Sequence, residues 1–188
     1  MARARRRWRR QQGGLDPARL IFLDESAAKT NMTRLRGRAP RGARLVASCP
    51  HGHWRTTTMI SAIRLDGSTA CMTVDGATDT EVFQAYVREV LCPTLHPGDI
   101  VVMDNLGAHK NEQTLALIAA AGACARFLPA YSPDLNPIEM MWSKVKASLR
   151  AAGARTHPDL LTAVGQALRK VTAQDAVNWY AACGYSII

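Results

Sequence analysis

The chain has 188 residues, 47% of them hydrophobic and 21% charged, proportions that support one packed domain and exclude a wholly disordered polymer. No apolar run approaches the roughly 18 residues needed to cross a bilayer, and no apolar segment follows the first arginines as a secretory signal requires, so a cytoplasmic protein is expected. The net charge of +9 is concentrated, with 15 Lys and Arg against three acids in residues 1–64 and nine against 12 in residues 65–188. A polyanionic partner would use such a footprint, although a solvated basic surface has the same composition. The five cysteines are odd in number and form no C-x-x-C pair, which indicates neither a disulfide framework nor a cysteine zinc site.

Residues 1–14 hold six arginines and end in Gly13-Gly14, so they read as a basic arm, flexible or conditionally helical and outside the core, ahead of a domain over residues 15–188. Leu20-Ile21-Phe22-Leu23 is an apolar run ended by Asp24, the pattern of a short strand buried on both faces. A basic exposed loop is predicted over residues 30–42. Strands over 44–48 and 56–63 would flank the turn-like Pro50-His51-Gly52-His53, and a strand over 70–74 follows the Asp66-Gly67 turn signal, giving an antiparallel meander. Thr78-Asp79-x-Glu81 predicts the cap of a helix running to Leu91 and stopped by Pro93.

Ile100-Val101-Val102-Met103 is a second apolar run ended by an acid, Asp104. A helix over 111–121, a buried strand over 123–128 and helices over 137–152, 158–171 and 175–182 complete the chain. In α/β sheets the carboxyl ends of strands are where sites are built, so Asp24 and Asp104 on adjacent strands would meet and could share hard cations, although each acid can also simply cap a turn. In Pro133-Asp134-Leu135-Asn136-Pro137-Ile138-Glu139, Asn136 suits an N-cap, Pro137 the first helical position and Glu139 the reciprocal capping position.

Other candidates carry bland alternatives. His109, five residues after Asp104, could orient DNA or a water, or make a structural hydrogen bond at a helix start. Lys146 shares a helical face with Glu139 and could meet a phosphate or stand in solvent. Trp142 reads as a core anchor, and Cys49, His51 and His53 read as a hairpin turn because no fourth zinc ligand follows at usable spacing. None of the common nucleotide-binding or hydrolase motifs is present.

Phe22-Leu23-Asp24-Glu25-Ser26, Val102-Met103-Asp104-Asn105 through His109-Lys110, and Tyr131-Ser132-Pro133-Asp134-Leu135-Asn136-Pro137-Ile138-Glu139 with Trp142 together resemble the catalytic domain of mariner-type DDE transposases, in the bacterial insertion-sequence branch. The resemblance runs from about Leu15 onward. It implies a ribonuclease-H-like α/β fold, with three antiparallel strands followed by parallel strands alternating with helices. It implies that Asp24, Asp104 and Glu139 are catalytic and hold two Mg²⁺ ions, for which Mn²⁺ can substitute, in DNA strand cleavage and strand transfer.

Transposon ends and target DNA would be the partners, contacted by Lys29, Arg34, Arg36, Arg38, Arg41, Arg44, His109 and Lys146, in a nucleoid-associated protein that is a homodimer when active. Family members carry helix-turn-helix domains ahead of the catalytic domain, whereas 14 residues stand there in this sequence, so end recognition is expected from a separate helix-turn-helix half. A non-catalytic, DNA-binding or inhibitory derivative of a transposase is the alternative, and another ribonuclease-H-like nuclease such as a resolvase a third.

Overall fold

Leu20, Ile21, Phe22 and Leu23 are all fully buried because β1 (Leu20–Lys29) is the central strand of a five-stranded sheet with helices on both faces. The computed structural model describes residues 1–186. β1 pairs antiparallel with β2 (Thr56–Ile63), which pairs antiparallel with β3 (Thr69–Asp75). On its other side β1 pairs in parallel with β4 (Ile100–Met103), which pairs in parallel with β5 (Cys124–Phe127), so the order is β3-β2-β1-β4-β5. This is the ribonuclease-H-like arrangement that the resemblance implied.

Alternation along β1 creates two cores. Leu20 and Phe22 face α4 (Ile138–Ala152), α5 (His157–Leu168) and α6 (Ala173–Ala182), in a cluster with Trp142, Val145, Leu160 and Tyr180. Phe22 meets the Tyr180 ring edge-on at 5.1 Å, and the Tyr180 hydroxyl donates to the Leu20 and Ile63 carbonyls. Ile21 and Leu23 face the opposite cluster, built on Phe83, Tyr86 and Val87 of α2 (Thr80–Tyr86) and its continuation, and on Ile118 of α3 (Glu112–Ala120). The Asp79 side chain caps α2, which winds on through a π turn over Val87–Leu91.

Several expectations are corrected, among them the buried strand over 123–128, which is β5 with Cys124 and Arg126 exposed. Residues 44–48 form no strand and lie in the exposed loop between β1 and β2, so Pro50-His51-Gly52-His53 joins no two strands and the meander consists of β1, β2 and β3. The apolar signal at residues 44–48 misled because Leu45 and Val46 are exposed. β1 does not stop at Asp24 either: Asp24 pairs with Ser61 and the β2 ladder continues to Lys29.

A further correction concerns the N-terminus. Residues 2–12 form α1 (Ala2–Gln12), and Trp8, 7% exposed, belongs to the α4-side core. Its indole N–H donates to the Tyr185 hydroxyl at 3.1 Å, and Gln12 donates to the Cys183 and Gly184 carbonyls. One aromatic spaced among arginines is enough to dock the helix when its partner, Tyr185, comes from the far end of the chain. Trp8→Ala should therefore lower the unfolding free energy by about 3 kcal/mol, the usual cost of deleting a buried large aromatic, read by urea denaturation; an unchanged midpoint would mean that α1 is not part of the fold.

Candidate active site

The β1–β4 register pairs Leu20 with Ile100, Ile21 with Val101 and Phe22 with Val102. Two residues further on stand Asp24 and Asp104, at the same level on strands about 4.8 Å apart, and alternation gives them the face of Phe22 and Val102, on which α4 packs. Glu139 lies in the first turn of α4. The three carboxylates line one cavity of about 440 Å³, closed by Asn105, Leu106, Asn136 and the segment from Leu128 to Pro133. Asp24 and Asp104 are half-buried, and Glu139 is exposed.

The electrostatics follow from this crowding. Burial, then the charges of Glu139 and Asp104, push the Asp24 carboxyl up to about 7, against the Glu25 N–H that donates to it at 2.8 Å and the charge of His109. Burial also disfavours ionised Asp104, yet His109, the Leu106 N–H and Lys110 outweigh it and hold that carboxyl below the usual range. Among the described residues, no three Asp, Glu, His or Cys side chains close around a single ion position. The donor set nonetheless suits a divalent cation: hard oxygen ligands, one of them destabilised as an anion by burial and by the other two.

His109 is interior rather than exposed. It is 1% accessible, stacks on Phe83 at 4.4 Å, and has Nδ1 2.8 Å from Asp104 Oδ1 and Nε2 3.9 Å from Glu25 Oε1. Neither nitrogen is aligned for a hydrogen bond, so these contacts are ion pairs. Burial works against the imidazolium, but Asp104 and Glu25 together raise its pKa to about 9. Buried in this way, His109 supports Asp104 and cannot reach DNA. Glu25 escaped the sequence reading; strand alternation beside Asp24, which turns it toward the Phe83 face, was the signal that could have found it.

Asn136 does not cap α4. Its backbone carbonyl accepts from the Glu139 N–H at 3.2 Å, but no side chain caps the helix, and Asn136 Oδ1 is buried without a hydrogen-bond partner among the described residues. The segment before it is held from outside. Arg5 grips Asp134 through two hydrogen bonds of 2.7 and 2.6 Å, Arg9 reaches the same carboxylate at 3.2 Å, and the Tyr185 hydroxyl donates to the Leu135 carbonyl. Tyr131, at φ 55° the one left-handed non-glycine among the described residues, stands 85% exposed at the cavity lip.

None of Lys29, Arg34, Arg36, Arg38, Arg41 and Arg44 lines the cavity. The five residues of β1 beyond Asp24 carry the chain about 17 Å away before the basic loop begins. Lys29 lies over the Trp54 ring at 5.8 Å, Arg34 and Arg36 border a depression with Ala147, Arg150 and Ala151 of α4, and Arg38, Arg41 and Arg44 are exposed in the loop. Lys146 is half-buried on α4, about two turns beyond Glu139 and one turn short of Arg150.

Residues 19–161, a span that contains all three acids, match the family described as DDE superfamily endonuclease. The chain belongs to that family. Among solved structures, this DDE endonuclease domain is similar to the Mos1 strand transfer complex, with a TM-score of 0.66 and 16% identity over 94% of this chain and 54% of that one. It is similar also to the mariner Mos1 paired end complex with Mg, with a TM-score of 0.67 and 16% identity over 96% and 58%. The catalytic core domain of BIV integrase matches with a TM-score of 0.51 and 13% identity over 80% and 81%. At these identities the likeness is one of fold, and the chain spans about half the length of the Mos1 proteins. No curated protein sequence matches.

The raised Asp24 pKa predicts an inverted pH dependence in metal-free protein. A carboxyl whose folded pKa of about 7 exceeds its unfolded value contributes stability that is complete below about pH 4 and lost as the pH rises through 7. Asp24→Asn, which removes the charge, should raise Tm at pH 8 in the presence of a chelator and change it little at pH 4.5; an equal shift at both pH values would contradict the raised Asp24 pKa.

Proposed function

We propose that this domain is the catalytic core of a transposase of the insertion-sequence type, cutting and rejoining DNA strands by metal-dependent phosphoryl transfer. The observation that carries the reading is the joint placement of Asp24, Asp104 and Glu139 on one cavity, with the Asp24 carboxyl driven up by burial and by the other two charges. Such repulsion is a poor arrangement for a structural site and a useful one for binding cations.

Asp24, Asp104 and Glu139 are the residues that would hold two Mg²⁺ or Mn²⁺ ions, whose chemistry is to activate a water or a DNA 3′-hydroxyl and to stabilise the leaving oxygen. The chain's own residues do the rest. β1 and β4 fix the two aspartates rigidly, while Glu139, exposed in the first turn of α4, keeps the rotamer freedom to close on them. His109, itself held by Glu25, fixes Asp104 and keeps it ionised. Asn136 forms part of the cavity wall just before the helix that carries Glu139.

DNA is the substrate. The similar Mos1 structures are a strand transfer complex, a paired-end complex with left transposon end, and paired end complexes with Mg and with Mn. Lys29, Arg34, Arg36, Arg38, Arg41 and Arg44 would contact phosphates away from the cut, with Lys146 between loop and cavity on α4; such contacts position a duplex without reading it. Selection of transposon ends then falls to a helix-turn-helix portion, and the active species is a homodimer.

Asp104→Asn should reduce Mg²⁺-dependent nicking of supercoiled plasmid more than about 100-fold, since even the outer partners of metal ligands are worth 10–100-fold, while duplex affinity stays the same or rises. Nicking that survives the substitution would refute the assignment; binding that disappears with it would make Asp104 structural.

A further inference from the structure

α1 carries more positive charge than its docking uses. At about 100° per residue, Arg5, Trp8 and Gln12 fall on one side, which meets Tyr185, Asp134 and the Cys183–Gly184 carbonyls. Arg3, Arg6, Arg7 and Arg10 fall within an arc of about 100° on the opposite side. All four are exposed, none has an ion-pair partner among the described residues, and α1 contains no acid.

The stripe does not stand alone. Arg7 borders a depression shared with Ala125, Arg126 and Phe127 of β5, the edge strand of the sheet, and Lys110 lies 5.8 Å over the Phe127 ring. Pro129 lines both this depression and the carboxylate cavity, so the basic patch of α1 and β5 abuts the wall of the site. The loop carrying Arg34 and Arg36 approaches α4 at its far end, beside Arg150.

We propose that the outer face of α1, continued by Arg126 and Lys110, is a second phosphate-binding surface for duplex DNA, separate from the loop between β1 and β2. The proposal rests on the reading of the domain as a DNA-cleaving enzyme and assigns a second stretch of its substrate. Arg3 to Arg10 spans about 10 Å along the helix axis, about three phosphates of one strand. Guanidinium groups free of intramolecular partners lose no ion pair on binding, and the contacts would be blind to sequence. An anionic membrane is disfavoured as the occupant, because Trp8 points into the core and the stripe carries no apolar residue to insert. Because Arg5 and Tyr185 tie α1 to the Tyr131–Leu135 segment, DNA on this face would be held in fixed relation to the cavity.

The test compares the full chain with an Arg3→Gln/Arg6→Gln/Arg7→Gln/Arg10→Gln variant, which keeps good helix formers and spares Arg5, Trp8 and Gln12. Anisotropy titrations on a 30-base-pair duplex of arbitrary sequence across a KCl series should show affinity at 100 mM salt falling at least tenfold and the log–log salt slope shrinking by about 3, at roughly 0.9 per phosphate lost, with Tm unchanged. A parallel Arg34→Gln/Arg36→Gln/Arg38→Gln/Arg41→Gln variant reports on the loop. An unchanged slope in the α1 variant, with a reduced slope in the loop variant and intact Mg²⁺-dependent nicking, would overturn the α1 surface and leave the enzyme reading standing. Absence of salt-dependent duplex binding by the wild-type chain would overturn both. Binding to phosphatidylserine vesicles that the α1 variant loses while keeping its DNA affinity would replace DNA by an anionic membrane.

Discussion

The parallel pairing of β1 with β4 brings two carboxylates to one cavity wall, where burial, more than their mutual charge, sets how each is held. Three ladder pairs fix the register, and the same register sets Asp24 and Asp104 at one level on the face that α4 covers. A slip of one residue would turn either side chain to the opposite face. The core bordering this pair is correspondingly stiff: Phe22 and Val102 are fully buried, and the Tyr180 hydroxyl bonds two strands at once. Asp104 is compensated internally by His109, whereas Asp24 receives one backbone N–H and is left with a carboxyl near neutrality. The asymmetry leaves one ligand firmly anionic and another that becomes a good ligand only when positive charge arrives.

The fourth side of the cavity is a segment with little regular structure, and its position depends on distant parts of the chain. Asp134 is gripped by Arg5 and Arg9, and Leu135 is tied through Tyr185 to Trp8. The ion pairs are largely exposed and worth little individually, so the buried Trp8–Tyr185 contact is the firmer part of the tie. Both ends of the chain thereby bear on the segment that leads into Glu139. The same docking sorts the arginines of α1 into two that bind protein and four that face outward.

Much of this was legible in sequence because local pattern and tertiary role coincided. The apolar runs before Asp24 and Asp104 are buried strands, and the helix expected from the Thr78-Asp79-x-Glu81 signal begins at an Asp79 side-chain cap. The misreadings share one cause, in that the deciding partner lies far away in the chain. Residues 44–48 have strand-like composition and no sheet to join. Trp8 looks like a surface residue until Tyr185, 177 positions later, is beside it. Asn136 is the exception, with the right identity for a cap but a buried side chain at the cavity wall that makes no cap hydrogen bond. Glu25 and His109 form a pair only because alternation along β1 and the turn after β4 deliver them to the same side of the sheet.

The most direct test of the central claim is a Mn²⁺ titration of the purified chain followed by electron paramagnetic resonance, beside an Asp24→Asn/Asp104→Asn/Glu139→Gln variant at pH 7.5. The account predicts saturable loss of the free Mn²⁺ signal with the wild type, approaching two ions per chain when a DNA duplex is present, and no comparable binding by the triple variant. Equal Mn²⁺ binding by the two proteins would contradict it, because the three carboxylates would then not be the ligands.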